Sequence, residues 1–145
     1  AVRLPFREEV FDYVVLGSTI EHIGLGAYGD PIYKDGDLLT MREVRRVLRK
    51  GGSVLITTMY STEGGVTWER HYSDAMIEQL SEGFVIMSKT YFLNTGGFKQ
   101  RWIRMTHGMP WVEPADPASA IVCVLLHTML LLVGFQNPSG VPLFP

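Results

Sequence analysis

The chain has one cysteine, almost no net charge and no signal-peptide pattern in its first residues, and each of these shapes what is expected of it. A lone thiol, Cys123, cannot close an intramolecular disulfide, and nothing around it stands at metal-ligand spacing. It reads as a buried structural thiol, compatible with a reducing compartment, so no metal site and a cytoplasmic location are expected. With 13 Lys and Arg against 15 Asp and Glu, the formal charge is −2, and no basic excess exists to neutralise phosphates. Nucleic acid is therefore not expected as the main partner. Arg3, Arg7, Glu8 and Glu9 break up the N-terminus, so no signal-peptide pattern is present. Also missing are a Gly-x-Gly-x-x-Gly turn after a strand, a P-loop, a Gly-x-Ser-x-Gly elbow and a Cys-x-x-Cys pair. No internal repeat, low-complexity segment or long linker divides the chain.

What remains is an ordinary globular composition over 145 residues, 46% hydrophobic and 19% charged, which suits one domain. The chain starts at Ala1, almost directly on strand-like sequence, which suggests processing or a longer parent protein. Phe11 to Leu16 is nearly all apolar without alternation and reads as a parallel strand buried on both faces. Gly17 to Gly36 is loop, with Gly-Asp-Pro at 29–31 and Asp-Gly-Asp at 35–37 as turn signals. Its length points to a functional loop.

Asp37 is the expected N-cap of a helix running from Leu38 to about Lys50. Leu38, Met41, Val44, Val47 and Leu48 form its apolar face, and the arginines at 42, 45, 46 and 49 a solvated one. Gly51-Gly52 is the expected stop, and Ser53 to Thr58 a second strand, giving a βαβ unit with parallel strands. Ser73 should cap a helix from Asp74 to Leu80, ending at Gly83, with strands following at Phe84 to Phe92 and Arg101 to Met105. The stretch 106–117 is Pro-rich and irregular. Ala118 to Phe135 is so apolar that periodicity cannot separate strand from helix. Asp116-Pro117 and Gly134 would bound a helix, Ile121, Val122 and Val124 favour a strand, and the length reaches the low edge of a membrane span.

Chemistry concentrates behind the two parallel strands, whose following loops emerge at the same carboxyl edge of the sheet. The first loop carries Ser18, Thr19, Glu21, His22, Tyr28, Asp30, Asp35 and Asp37, and the second Tyr60, Ser61, Glu63, Trp68, Arg70, His71 and Tyr72. His22 is the best proton acceptor among them, because an imidazole titrates near neutrality. Glu21 can tune it, although neighbours on an extended chain point apart, and both can equally serve the loop. Asp30 and Asp35 read as turn formers as well as candidates. Arg70 can hold an anionic substrate group or pair with a nearby carboxylate.

These motifs, taken in order, carry a resemblance. Leu-Pro-Phe at 4–6, FDYVVLGSTIEH from Phe11, MREVRRVLRKGG from Met41 and SVLITT from Ser53 resemble the second half of a class I S-adenosylmethionine (SAM)-dependent methyltransferase. The stretch GLGAYGDPIYKDGD is similar to a poorly characterised group of methyltransferase-like proteins with a Gly-Leu-Gly-x-Tyr-Gly-Asp-Pro loop. The likeness covers about Arg3 to Asn94, with Arg49-Lys50-Gly51-Gly52 in place of the family's Lys-Pro-Gly-Gly. It implies an α/β fold: a partial Rossmann-like methyltransferase sheet, with a parallel pair, an antiparallel hairpin and flanking helices. Residues 1–128 would form this part of the domain and 129–145 an apolar, then Pro-rich tail. Ala118 to His127 would be the family's final antiparallel strand.

The resemblance also implies SAM as cofactor. Leu4 and Pro5 would lie near its adenine, Leu16, Gly17 and Ser18 beside its methionine part, and Glu21 and His22 at the reaction centre. Tyr28, Asp30, Arg70, His71 and Tyr72 would face the substrate, a small molecule, glycan or lipid-linked precursor. The family's first strand and glycine-rich turn lie upstream of Leu-Pro-Phe, so weak or no SAM binding is expected of this chain alone. The rival expectation is a non-catalytic module that associates through an exposed sheet edge. A third, membrane attachment through Ala118 to Phe135, is the weakest.

Overall fold

The computed structural model describes residues 2–94, 102–105 and 120–129. Strand β1 (Phe11–Gly17) pairs in parallel with β2 (Leu48–Met59), running from Tyr13 opposite Ser53 to Gly17 opposite Thr57. Helix α1 (Gly36–Val47) connects them, burying Met41, Val44 and Val47 while Arg42 and Arg45 face water. Two short strands, β3 (Gly65–Val66) and β4 (Arg70–His71), form a hairpin after β2, and α2 (Asp74–Leu80) follows. The Ser73 hydroxyl caps α2 as expected, accepting from the Met76 amide.

Strands β5 (Phe84–Asn94), β6 (Trp102–Arg104) and β7 (Ala120–Thr128) complete one five-stranded sheet in the order β1-β2-β7-β5-β6. β7 lies antiparallel between β2 and β5, so the ambiguous apolar run is a strand over Ala120–Thr128, as the methyltransferase resemblance implied. Alternation decided it: Ala120, Val122, Val124 and Leu126 are buried. With Val54 and Ile56 of β2, Met41 and Val44 of α1 and Ile77 and Leu80 of α2, they make one core on one face of the sheet. Among the described residues, no helix is long and apolar enough to cross a membrane. The stretch 106–117, the end of the apolar run and the tail from Leu130 lie outside the described residues.

Three local expectations are corrected. β1 is not buried on both faces: Tyr13 and Val15 are 77% and 67% exposed, and its outer edge is unpaired among the described residues. The helix starts earlier, with Asp35 at the cap position and Asp37 inside the first turn, where its carboxylate is turned to buried partners. The helix also ends earlier, and Gly51-Gly52 is no helix stop. Leu48 already pairs with Phe11, and the ladder resumes at Ser53 opposite Tyr13, so residues 49–52 form an irregular excursion within β2. Gly51 takes φ +77°, and a Cβ on Gly52 would stand 2.9 Å from the Arg49 carbonyl and 3.1 Å from that of Asp12. Gly51 serves the left-handed backbone and Gly52 the close backbone approach to β1.

Candidate functional site

The site grows from the carboxyl end of β1. Ser18 adopts φ +45° and turns the chain sharply, while its amide still donates to the Thr57 carbonyl at 2.9 Å, tying the turn to β2. The Thr19 hydroxyl donates to the Gly17 carbonyl, and a short 3₁₀ turn, Ile20–His22, follows. That turn sends Ile20 and Glu21 inward, both fully buried. Glu21 accepts from the Ser18 hydroxyl at 2.7 Å and the Thr58 hydroxyl at 3.1 Å. A buried carboxylate needs such donors, and these two bind the ends of β1 and β2 together. Glu21 therefore sits beneath the turn, and the structure shows no Glu21–His22 contact.

His22 leaves the same turn toward the β3–β4 hairpin. Its ring stacks on Trp68, with centroids 5.0 Å apart and planes 26° from parallel, and meets the Tyr28 ring edge-on at 5.4 Å. Its Nε2 faces Glu69 Oε2 at 3.8 Å, and His71 Nε2 faces Glu69 Oε1 at 3.2 Å. The Nδ1 atoms of both imidazoles are buried without a hydrogen-bond partner. Trp68 and Glu69 reach His22 because β3 and β4 pair Val66 with Arg70, leaving Thr67-Trp68-Glu69 as a three-residue hairpin tip. Thr67 fixes that tip, its amide and hydroxyl both donating to the Glu69 carbonyl. Sequence reasoning does not single out Glu69: in isolation it reads as one more solvated charge, and strands of two residues carry no periodicity. The paired glycines Gly64-Gly65 ahead of an aromatic-acidic stretch were the available hint of a tight hairpin.

The loop between His22 and α1 is closed by glycine geometry and one buried arginine. Gly24 has φ +80°, and a Cβ there would lie 2.4 Å from the Tyr33 carbonyl. The Gly24 amide donates to Asp30 Oδ2 at 3.1 Å, the first cause holding the Asp30 carboxyl below its ordinary value. Asp30 is thus a loop former whose Oδ1 is left without a partner. Arg70 donates to the carbonyls of Ile23 at 2.7 Å and Lys34 at 3.2 Å, one at each end of the loop. Its Nε lies 3.4 Å from Asp37, which also accepts from the Tyr72 hydroxyl at 3.0 Å. Of the two partners open to Arg70 in sequence, the structure shows the carboxylate. Burial, then Asp37, pushes the Tyr72 hydroxyl pKa up, so Tyr72 stays a neutral donor.

Of the residues expected to face a substrate, Tyr28 and His71 thus gather around the His22 face, Asp30 shapes the loop, and Arg70 and Tyr72 lie inside. Leu4 and Leu16 line one apolar cavity of about 240 Å³ with Phe6 and Val44, between β1 and α1. Pro5 is exposed next to it, and the Leu4 amide is pinned by Glu43 Oε2 at 2.9 Å. Beside Gly17, the nearest atom to a notional Cβ is Thr57 Oγ1 at 4.0 Å, so the strand end is open to a ligand. Leu4 and Leu16 thus share an apolar hollow, and Gly17 and Ser18 stand exposed at the strand end; apolar side chains and open backbone of this kind are chemically compatible with one side of such a group. Among the described residues, no group of His, Cys, Asp and Glu could hold a metal ion.

Solved structures share this fold. A SAM-dependent methyltransferase of Thermotoga maritima, described as a possible histamine N-methyltransferase, is 16% identical, with a TM-score of 0.53 over 88% of this chain and 60% of that one. A SAM-dependent methyltransferase of Methanosarcina mazei is 15% identical, with a TM-score of 0.54 over 89% and 64%. The [4+2]-cyclase SpnF is 14% identical, with a TM-score of 0.57 over 89% and 53%. The chain therefore spans between 53% and 64% of the length of these structures. Likeness at such identities establishes the fold, and a cyclase among them shows how little the fold alone says of the reaction. No curated protein matches the sequence. Residues 5–95 match the family described as "Caenorhabditis protein of unknown function, DUF268". The chain belongs to that DUF268 family, and it carries a Rossmann-like, methyltransferase-type sheet.

Proposed function

We propose that this chain forms the acceptor side of a SAM-dependent methyl-transfer site acting on a small molecule, glycan or lipid-linked acceptor. The observation that carries the reading is the His22 imidazole, held at the carboxyl edge of β1 with a buried, unpartnered Nδ1. Leu4, Pro5, Leu16, Gly17 and Ser18 would hold the cofactor along one wall. When bound, SAM supplies a sulfonium methyl group as electrophile and retains the carbon–sulfur electron pair on sulfur. His22 takes the proton released by an acceptor hydroxyl or amine. Glu21 keeps the turn that presents His22 rigid from below, and Tyr28, Asp30 and His71 shape the acceptor's surroundings. Arg70 and Tyr72 act behind them by fixing the loop. The Gly24 to Pro31 loop is, in this reading, the mark of the methyltransferase-like group it resembles.

Calorimetric titration with SAM tests the one-walled site. Binding in the millimolar range or weaker is expected, whereas micromolar affinity would mean that the chain encloses the cofactor after all. A second reading rests on a separate observation, the outer edge of β1, unpaired among the described residues, with Tyr13 and Val15 exposed beside it. Such an edge is a template for another strand, and a non-catalytic module would use it to pair with a second copy. Light scattering after size exclusion separates the two readings, since a monomer across a concentration series excludes self-pairing.

A further inference from the structure

We propose that Glu69 is a positioning residue for His22: it fixes the Nε2–H tautomer and leaves the lone pair on Nδ1. The proposal rests on the reading of His22 as the proton acceptor, and it specifies which ring nitrogen does the accepting. Glu69 is 5% exposed and has a histidine on each oxygen, His71 Nε2 at 3.2 Å and His22 Nε2 at 3.8 Å. A carboxylate attracts an N–H and repels a nitrogen lone pair, so at both rings the neutral imidazole keeps its proton on Nε2. At 3.8 Å the His22 contact is too long for a hydrogen bond, so the preference there is electrostatic. A buried charge at that range biases a tautomer ratio by about ten-fold.

The rest of the cluster agrees. Trp68 covers one face of the His22 ring and Tyr28 meets it edge-on, so rotation that would exchange the nitrogens is blocked on those sides. Glu69 in turn is fixed by the hairpin tip, through the two bonds from Thr67 to its carbonyl. Nδ1 of His22 is the nitrogen left without a partner, a lone pair shielded from bulk water that meets a donor only where an acceptor group enters the cluster. A proton leaving an acceptor hydroxyl or amine passes to that lone pair, and the imidazole becomes a cation facing the Glu69 carboxylate through Nε2–H. The same contact that sets the tautomer thus also meets the charge that proton transfer creates.

The test reads ring nitrogens by long-range ¹H–¹⁵N NMR on the full chain, at a pH high enough to keep both imidazoles neutral. A single Nε2–H pattern is expected for His22 and His71 in the native sequence, and a tautomer mixture at His22 in Glu69→Leu. Should Glu69→Leu fail to fold, Glu69→Gln decides. It keeps the volume and removes the charge, so the His22 preference should fall several-fold. An Nδ1–H tautomer at His22 in the native chain would overturn the proposal, as would an unchanged ratio in a folded Glu69 variant. The readout needs no cofactor and no turnover. A correct tautomer in a chain whose His22 proves unconnected with methyl transfer would therefore sink the base reading and leave the positioning role standing.

Discussion

Replacing Arg70 by Met should detach both ends of the loop at once. Arg70 is 3% exposed and its guanidinium serves the carbonyls of Ile23 and Lys34 and the carboxylate of Asp37. Met fills much of the same space and offers no donor. Asp37, 6% exposed, would then keep the Tyr72 hydroxyl but lose its countercharge. Breaking a buried pair from one side costs about 3–5 kcal/mol, mostly from the charge left behind. That figure already overlaps the cost of the two abandoned carbonyls, so about 4 kcal/mol is a fair total. Against a domain stability of about 5–15 kcal/mol this is a large share. With a urea slope of about 2 kcal/mol/M, the midpoint should fall by about 2 M. The double variant Arg70→Met with Asp37→Asn should lose less than the sum of its parts by at least about 1 kcal/mol, since removing the charge removes the main penalty. A midpoint shift under about 0.5 M at unchanged slope, with additive effects, would refute the reasoning.

Two further outcomes follow from local geometry. Gly24→Ala should cost about 2–3 kcal/mol, because the new Cβ meets the Tyr33 carbonyl at 2.4 Å on top of a left-handed backbone. Gly29→Ala, with the same backbone hand and no atom within 4 Å, should cost only about 1–2 kcal/mol, and equal losses in thermal melts would contradict this account. Glu43 is held from its ordinary 4.5 down to about 2, first by the Arg46 hydrogen bond and then by the Leu4 amide. Because the folded value is depressed, its contribution is fully present above about pH 4.5 and is lost as pH falls toward about 2. The Leu4 amide resonance should follow that titration near pH 2, and a midpoint near 4.5 would show that the contact is not made.

The βαβ unit, α2 and the strands around it were legible because each leaves a local mark: an apolar run, a helical stripe, a capping serine. What failed was local chemistry with more than one use. Gly51-Gly52 has the composition of a helix stop, yet only the position of β1 beside it shows that Gly52 makes room for backbone. β1 reads as doubly buried because Tyr13 and Val15 are apolar, and sequence records apolarity without recording what covers it. Ala118 to Phe135 needed the family resemblance, and then the register against β2 and β5, to become a strand over Ala120–Thr128. At the site, residue type and place pointed to His22 as a candidate. Its surroundings were not legible, because Trp68 and Glu69 lie 46 and 47 positions downstream and reach it through a hairpin too short to show a period. Arg70 shows the same limit from the other side: a lone arginine looks available until its partners are seen.

The central claim, that the carboxyl end of β1 is one wall of a SAM site with His22 beside it, is tested most directly by NMR titration with S-adenosylhomocysteine. Amide shifts should move at Leu16, Gly17, Ser18 and the Ile20–His22 turn, with weaker changes near Leu4, at millimolar ligand. Shifts that cluster elsewhere, or none at these positions up to the solubility limit, would contradict it.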